Sequence, residues 1–313
     1  MRTWKSYSLF LPCSLLFCLS SFSLQAQDAH RYDPPWNPPI GDTTVLDFTI
    51  KGINNVPDLH GDIVDPQLVI FFAGNQFMCV RELLEGFKKE HPEIQRIFAE
   101  TLPPGILARQ MQEGSLRIGN MLITHKPDVY TAGKAKIESM QDRFERVETY
   151  AYNDLTLMVK KGNPKNIQGL KDLQGDSVRV SMPNPAWEGI AKHIQTAYKK
   201  AGGQALDLAI MDTKVKDQTT YLTRIHHRES PLRILLSQSD VAPVWSSELV
   251  YQKSIGHPVD QVRIADNENV RVSYSAAKLK DAPRSKAADL FMDYLLSKPA
   301  KAIYEKYGFQ VSP

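Results

Sequence analysis

From residue 66 onward, short apolar runs alternate with amphipathic segments, and this alternation limits the fold more than any other feature. Residues 68–72 form a continuous apolar run, which is typical of a strand buried on both faces. A helix is predicted directly after it, because apolar residues recur from Val80 to Phe87 at the i, i+3, i+4, i+7 spacing. Repeated strand–helix units of this kind predict an α/β fold with mainly parallel sheets.

The same pattern continues along the rest of the chain. A second helix is predicted after Pro103-Pro104-Gly105, since proline suits the first helical turn. A third is predicted over residues 190–201, closed by Gly202-Gly203, and a last one around residues 290–295. Further strands are predicted at 95–100, 128–130, 155–159, 178–180, 240–244 and 270–277.

The first 26 residues have the pattern of an export signal. Arg2 and Lys5 form a positive start, an apolar stretch follows over residues 9–24, and small Ala26 provides a cleavage point. The stretch is shorter than the roughly 20 apolar residues that span a bilayer. We therefore predict a protein that is exported to the periplasm and loses this segment.

Cysteine content argues against an internal disulfide, and the charge balance argues against a nucleic-acid partner. Cys13 and Cys18 lie in the predicted signal, so Cys79 is the only cysteine of the mature chain and no internal disulfide is expected. The chain carries 38 Lys and Arg against 35 Asp and Glu, with no basic stripe. This balance argues against nucleic acid as a partner.

Residues 27–66 form a separate Pro/Trp-rich arm. Four prolines and two aromatic residues fall within residues 32–39, which favours an extended, polyproline-like path over a helix. Residues 45–50 alternate well enough to predict one strand. Two interpretations stay open: the arm lies across the body of the protein, or it docks onto a partner.

Several predicted helices begin directly after strands or turns. A helix start offers free backbone N–H groups and a partial positive charge, which together suit an anion. In open α/β sheets such turns gather at the carboxyl ends of the strands, where ligands bind. The turns in question are Gly74-Asn75-Gln76, Pro104-Gly105, Pro185-Ala186-Trp187 and Trp245-Ser246-Ser247.

A set of short motifs follows one another over residues 67–313. They are Leu68-Val-Ile-Phe-Phe-Ala-Gly74, Gly105-Ile-Leu-Ala-Arg-Gln-Met-Gln-Glu-Gly114, Pro127-Asp-Val-Tyr130, Leu157-Met-Val-Lys-Lys-Gly-Asn-Pro164, Asp240-Val-Ala-Pro-Val-Trp245 and Ala287-Ala-Asp-Leu-Phe-Met-Asp-Tyr-Leu-Leu-Ser297. In this order they resemble the periplasmic molybdate-type solute-binding proteins of ABC importers, members of the type II periplasmic binding protein superfamily.

That resemblance implies a two-lobed fold with a hinge of two crossover strands. Lobe one would comprise residues 67–152 and 274–313, and lobe two residues 153–273. The lobes would close over a small, anionic ligand. The implied partners are the membrane subunits of an ABC importer. No cofactor is implied, and we expect a monomer.

The family's ligand contacts map onto this sequence with changes. A family serine falls near Asn75, a second falls on Pro104, and a tyrosine falls on Trp245. Proline has neither N–H nor hydroxyl, so bare molybdate is expected to bind weakly and a larger ligand is favoured. The predicted ligand-binding residues are Gly74, Asn75, Gln76, Gly105, Trp187, Arg228, Trp245 and Ser246.

Arg228 enters that set from the polar segment His226-His227-Arg228-Glu229, not from a family motif. Its guanidinium suits a carboxylate or oxyanion. A metal pair of His226 and Glu229 is the weaker alternative, because two ligands are fewer than a protein metal site normally has. A solvated turn is the third interpretation.

Sequence motifs of common enzyme classes are missing: there is no G-x-S-x-G elbow, no H-E-x-x-H and no phosphate loop. We therefore predict a binding protein and not an enzyme. Two alternatives stay open. One is an accessory or sensor protein that docks onto a membrane or redox partner through the arm; the other is a metal-dependent hydrolase that uses His226, His227 and Glu229.

Overall fold

The computed structural model describes residues 45–46, 59–118, 121–186, 188–224 and 229–311. Within these ranges no helix has the length and apolar character needed to cross a membrane. The strands are β1 (Val45–Leu46), β2 (Leu59–Gly61), β3 (Leu68–Ala73), β4 (Ile97–Leu102), β5 (Leu116–Ile118), β6 (Met121–Ile123), β7 (Val129–Gly133), β8 (Phe144–Lys160), β9 (Val180–Met182), β10 (Thr220–Leu222), β11 (Val241–Trp245), β12 (Val259–Val262) and β13 (Arg271–Leu279). The helices are α1 (Phe77–Glu90), α2 (Pro104–Glu113), α3 (Lys134–Glu138), α4 (Gly189–Leu208), α5 (Lys214–Lys216), α6 (Glu229–Leu235), α7 (Ser246–Ser254), α8 (Ser285–Leu295) and α9 (Lys298–Lys306).

The first strand–helix units agree with the sequence prediction. All six residues of β3 are buried, and α1 turns Val80, Leu83 and Phe87 into the core. Helix α2 begins at Pro104, where a missing N–H costs nothing, and ends at Gly114, whose φ of 77° favours glycine. The α/β class is therefore confirmed.

Helix α4 extends beyond the predicted end at Gly202-Gly203. Both glycines have non-helical backbone angles, with a φ of 68° at Gly203, so the break itself is confirmed. Helical turns then resume as far as Leu208. They do so because Leu206 is buried in the core and its packing outweighs the local preference of the glycines to stop the helix.

One large sheet runs through the molecule in the order β1-β2-β4-β3-β7-β13-β8-β11-β9-β10, with β12 on β8. Parallel pairing joins β4 to β3, β3 to β7, β11 to β9 and β9 to β10, the strands that alternate with helices. The crossover strands β8 and β13, the strand β12, and the pair β1 and β2 at one edge have antiparallel partners. Strands β8 and β13 run antiparallel because β8 leads from lobe one into lobe two and β13 leads back.

Buried apolar residues form three clusters and define two lobes. In lobe one, α1, α8 and α9 cover one face of the sheet, while α2 and α3 cover the other. The core of lobe two draws its buried residues from Leu155 to Ile264 alone, a single contiguous stretch. The chain boundaries predicted for the lobes, at residues 152–153 and 273–274, stay a prediction.

Two crossover strands connect the lobes. Strand β8 has 17 residues, a length of about 55 Å at the usual rise per residue. It pairs with β13 from Arg271 to Leu279, and the register shifts between Tyr274 and Ser275. Tyr274 lies opposite Ala151 and Ser275 lies opposite Thr149, so Tyr150 is the extra residue of a β-bulge.

The end of the chain lies against these crossover strands. Gln310 and Tyr152 exchange two backbone hydrogen bonds of 2.7 and 2.9 Å. Gly308 has a φ of 80°, and a Cβ there would lie 2.6 Å from Val250 on α7. Phe309 packs edge-on against Tyr274. The segment therefore ties α9 of lobe one to the hinge and to α7.

The N-terminal predictions fall mostly outside the described residues. The export signal, with Cys13 and Cys18, lies there, and so does most of the arm. Within the arm, Val45–Leu46 pairs antiparallel with β2 at the edge of the large sheet. This confirms in part the strand predicted over residues 45–50.

Candidate functional site

The start of α1 contacts the returning crossover strand. Gly74–Gln76 forms a single 3-10 turn between β3 and α1. Within it, Asn75 is only 8% exposed, and its Nδ2 donates a 2.5 Å hydrogen bond to the phenol oxygen of Tyr274 on β13. Burial raises the pKa of the Tyr274 phenol, so this hydroxyl stays protonated at neutral pH. The turn predicted to hold a ligand is thus anchored to the hinge.

Gln76 points into lobe one instead of toward the cleft. It is fully buried, its Nε2 donates to the phenol of Tyr150 at 2.5 Å, and its Oε1 accepts from Tyr304 at 3.3 Å. The side chain therefore has no exposed surface for a ligand. Any contribution of this residue to binding is limited to its backbone N–H, which as part of a first helical turn has no intrahelical acceptor.

Lobe two contributes the start of α7. Trp245 ends β11, is 6% exposed, and lies edge-on to Tyr274 with ring centres 6.4 Å apart. Ser246 opens the helix and is half-buried. The next residue, Ser247, is buried and accepts a 2.9 Å hydrogen bond from Nδ2 of Asn153 on β8.

Helices α1 and α7 contact each other, because Phe77 in the first turn of α1 and Tyr251 in the second half of α7 pack edge-to-face with ring centres 5.0 Å apart. From the start of α1, Asn75 donates to the Tyr274 phenol, and Trp245, directly before α7, lies edge-on to the same ring. The starts of α1 and α7 therefore converge on one tyrosine, and each brings the partial positive charge of a helix N-terminus.

His193 lies beside Trp245 on the side of lobe two. Together with Asn75, Trp245 and Tyr274 it forms the surface that is called the wall below. His193 lies on α4, is half-buried, and its ring centre is 5.9 Å from that of Trp245. Burial lowers its pKa, so the imidazole is neutral at neutral pH. No sequence pattern points to this residue, because only the packing of α4 beside β11 brings it to the tryptophan.

The start of α4 already carries a negative group. Glu188 is 6% exposed, and its Oε1 accepts from the backbone N–H of Asn184 at 3.2 Å and from the Thr223 hydroxyl. A carboxylate here competes with an anionic ligand for the same partial charge. The sequence prediction of an anion site at this turn did not take Glu188 into account.

Gly105 lies apart from this wall. It is exposed in the first turn of α2, while the carbonyl of Pro104 accepts a 2.8 Å hydrogen bond from the Tyr130 phenol. Neither Pro103 nor Pro104 has an N–H to offer. Ala73 and Gly74 end the neighbouring strand, and Gly74 is buried.

The polar segment predicted before α6 is described only at its end. Glu229 accepts from the Tyr221 phenol at 2.7 Å and from the Arg224 backbone at 2.9 Å. His226, His227 and Arg228 lie outside the described residues, as does Trp187. Among the residues that are described, no group of three His, Cys, Asp or Glu side chains could hold a metal ion.

Cys79 is a packing residue in the structure. It is fully buried in α1, and its thiol donates to the Gln76 carbonyl at 3.1 Å. Burial raises the pKa of the thiol far above its ordinary range. A nucleophilic role would need the opposite shift.

Comparison with known structures identifies the fold. The periplasmic molybdate-binding protein of Azotobacter vinelandii is 16% identical, with a TM-score of 0.63 over 79% of this chain and 100% of that chain. The sulfate-binding protein SubI of Mycobacterium tuberculosis is 18% identical, with a TM-score of 0.62 over 78% and 85%. Campylobacter jejuni PEB3 with bound L-phospholactate is 17% identical, with a TM-score of 0.59 over 78% and 100%. At these identities the likeness establishes the two-lobed type II periplasmic binding fold.

The sequence itself assigns the family. A search of curated protein sequences finds no significant match. The family profile of bacterial extracellular solute-binding proteins, by contrast, matches residues 68–310, nearly the whole described body. Proteins of this family bind solutes and are not enzymes. The chain therefore belongs to the bacterial extracellular solute-binding proteins.

Proposed function

We propose that this protein captures a small anionic solute between its two lobes in the periplasm and delivers it to the membrane subunits of an ABC importer. One observation carries the proposal: Asn75 and Trp245, at helix starts in opposite lobes, contact the same hinge residue, Tyr274. A solute placed against this wall would touch both lobes at once and would favour the closed form.

The charge of the solute is inferred from the helix starts and the relatives. Helices α1 and α7 direct their N-terminal ends toward the wall, and free N–H groups there suit an anion. The similar structures are named for molybdate, sulfate and L-phospholactate, which are all anions. Export is supported by the signal pattern of residues 1–26.

The size of the solute is inferred from what the wall lacks. Pro104 removes a donor where the molybdate-type proteins have serine, and Glu188 occupies the start of α4. Trp245 and neutral His193 add flat apolar surface instead. An organic anion with an apolar or planar part would satisfy both features, since its charged group needs few donors and its body can stack.

Native mass spectrometry of the exported protein tests the proposal directly. We expect a bound organic anion that leaves on unfolding, and N-terminal sequencing should begin at Gln27. A protein that retains no solute, and that no organic anion stabilises in a thermal-shift screen, would contradict the proposal. That result would favour the accessory-protein alternative, in which the arm docks onto a partner.

A further inference from the structure

A shallow basic groove lies on the outer surface of lobe one, between α2 and α3. Its cavity is about 410 Å³, within the usual range for binding sites. Its lining includes the exposed cations Arg109 and Arg143, the half-buried cation Lys136, and the apolar residues Ala108 and Met140.

The three cations keep their charge available for a partner. In the described part of the chain, none of them forms a salt bridge, whereas nearby Lys134 pairs with Glu138 and Lys126 pairs with Asp281. The Arg143 guanidinium makes one long bond of 3.4 Å to a backbone carbonyl. Glu113 is the only acidic residue that lines the groove. The local charge is therefore positive and points to an acidic occupant.

The shape of the groove favours a peptide over a single ion. Its wall on α2 runs from Gly105 to Glu113, a length of about 12 Å at the helical rise per residue. That length matches about four residues of extended chain. The three cations come from three separate elements, namely α2, α3 and the 3-10 turn Gln141–Arg143. Met140 is an adaptable apolar contact.

We infer that this groove binds an acidic segment of a protein partner, with carboxylates on the three cations and an apolar side chain over Met140. The groove begins at Gly105, in the first turn of α2, at the carboxyl end of β4. It lies on the face of the lobe-one sheet that α2 and α3 cover. The inference is independent of the solute, because its three cations Arg109, Lys136 and Arg143 are not among the predicted ligand-binding residues.

A labelled Glu-Glu-Leu-Glu-Glu-Leu-Glu peptide provides the probe, with fluorescence anisotropy as the readout. We expect the full-length protein to bind it, and to bind it more weakly as the salt rises from about 0.01 to about 0.15 M. The triple variant Arg109→Glu, Lys136→Glu, Arg143→Glu should lose roughly tenfold or more in affinity. The single variant Arg109→Gln should lose part of the affinity for the peptide. It keeps the test valid if the triple variant folds poorly.

The matched control changes charge on the opposite face. Lys89, Lys286 and Lys298 are exposed on α1, α8 and α9, and reversing all three gives the same net charge as the groove variant. We expect this control to keep its affinity within about twofold. Equal loss in both variants, absence of binding to the wild type, or full competition by equimolar inorganic phosphate would each overturn the inference. Unchanged tryptophan fluorescence in the groove variant would show that the wall is intact.

Discussion

Asn75 and Tyr274 are 199 positions apart in the chain and are joined by a 2.5 Å hydrogen bond from the amide to the phenol. The bond connects the first turn of α1 with the strand that returns from lobe two. Trp245 lies edge-on to the same tyrosine ring, so the start of α1 and the end of β11 both contact one residue of the returning crossover strand.

Tyr274→Phe should destabilise the protein. The substitution keeps the ring but leaves the buried side-chain amide of Asn75 without its hydrogen-bond acceptor, which costs about 1–3 kcal/mol. Urea unfolding measures the change in the free energy of unfolding. Tyr294→Phe is the control, because the Tyr294 hydroxyl is buried with no hydrogen-bond partner in the described structure. Removal of this hydroxyl should leave the free energy of unfolding unchanged or raise it. Equal destabilisation of both variants would contradict the assigned role of Tyr274.

Trp245→Ala should weaken binding of the solute identified by native mass spectrometry by about 1–3 kcal/mol, the scale of a lost buried contact. Arg228→Ala should have a similar effect, and the two should couple if both residues touch the solute. Titration calorimetry gives the affinities. Trp245→Phe keeps most of the packing in lobe two and provides a readout if the alanine variant unfolds. Wild-type affinity in folded Arg228→Ala would leave that segment as a solvated turn.

Bare molybdate should bind the wild type weakly, because Pro104 offers neither N–H nor hydroxyl. Pro104→Ser restores both groups at the start of α2 and should raise the affinity for molybdate, as measured by calorimetry. Pro103→Ser serves as the control, since a serine at the N-cap uses its hydroxyl on its own helix. A wild-type dissociation constant below about 1 μM would mean that the proline does not limit oxyanion binding.

His193 should make the protein less stable in mild acid. Its folded-state pKa lies below the ordinary value of 6.5, which it regains on unfolding, so the unfolded chain takes up the proton first as the pH falls. The free energy of unfolding should be unaffected by this residue above about pH 6.5 and should decrease below it. His193→Gln should flatten that decrease, as measured by urea unfolding at a series of pH values. Identical pH profiles for wild type and His193→Gln would rule out this effect.

Cys79 should be inert in the folded protein. Burial and the raised pKa of the Cys79 thiol prevent formation of the reactive thiolate. A thiol-specific dye should therefore react only after unfolding, and the melting temperature should not change with reductant. Fast labelling of the native protein, or a redox-dependent melting temperature for the monomer, would contradict the packing role.

Sequence patterns predicted the elements that are regular and locally determined. The burial of β3 and the apolar face of α1 depend on the spacing of neighbouring residues, and both were predicted correctly. Strand β8 was predicted only over residues 155–159, although it begins at Phe144. Its first half mixes charged, aromatic and small residues without a strict alternation. Its pairing partner β13 lies more than a hundred positions away, so no local pattern reveals it.

The candidate site was less predictable because it depends on contacts between distant elements. Asn75 and Trp245 could be proposed from their positions after strands, but the direction of Gln76 could not. Its rotation into lobe one follows from the 3-10 turn and from the buried phenols of Tyr150 and Tyr304. His193 and Tyr274 become candidates only once the strands and helices are packed.

The contiguous core of lobe two has a consequence for the order of events during synthesis. A ribosome releases residues 155–264 before it has made β13, α8 and α9, which lobe one needs to close its own sheet and cover one face. The middle of the chain can therefore reach its native packing while the earlier-made part is still incomplete. Lobe one must wait for β13, α8, α9 and the Gly308–Gln310 segment, so it completes its packing after lobe two even though its first strand is made early.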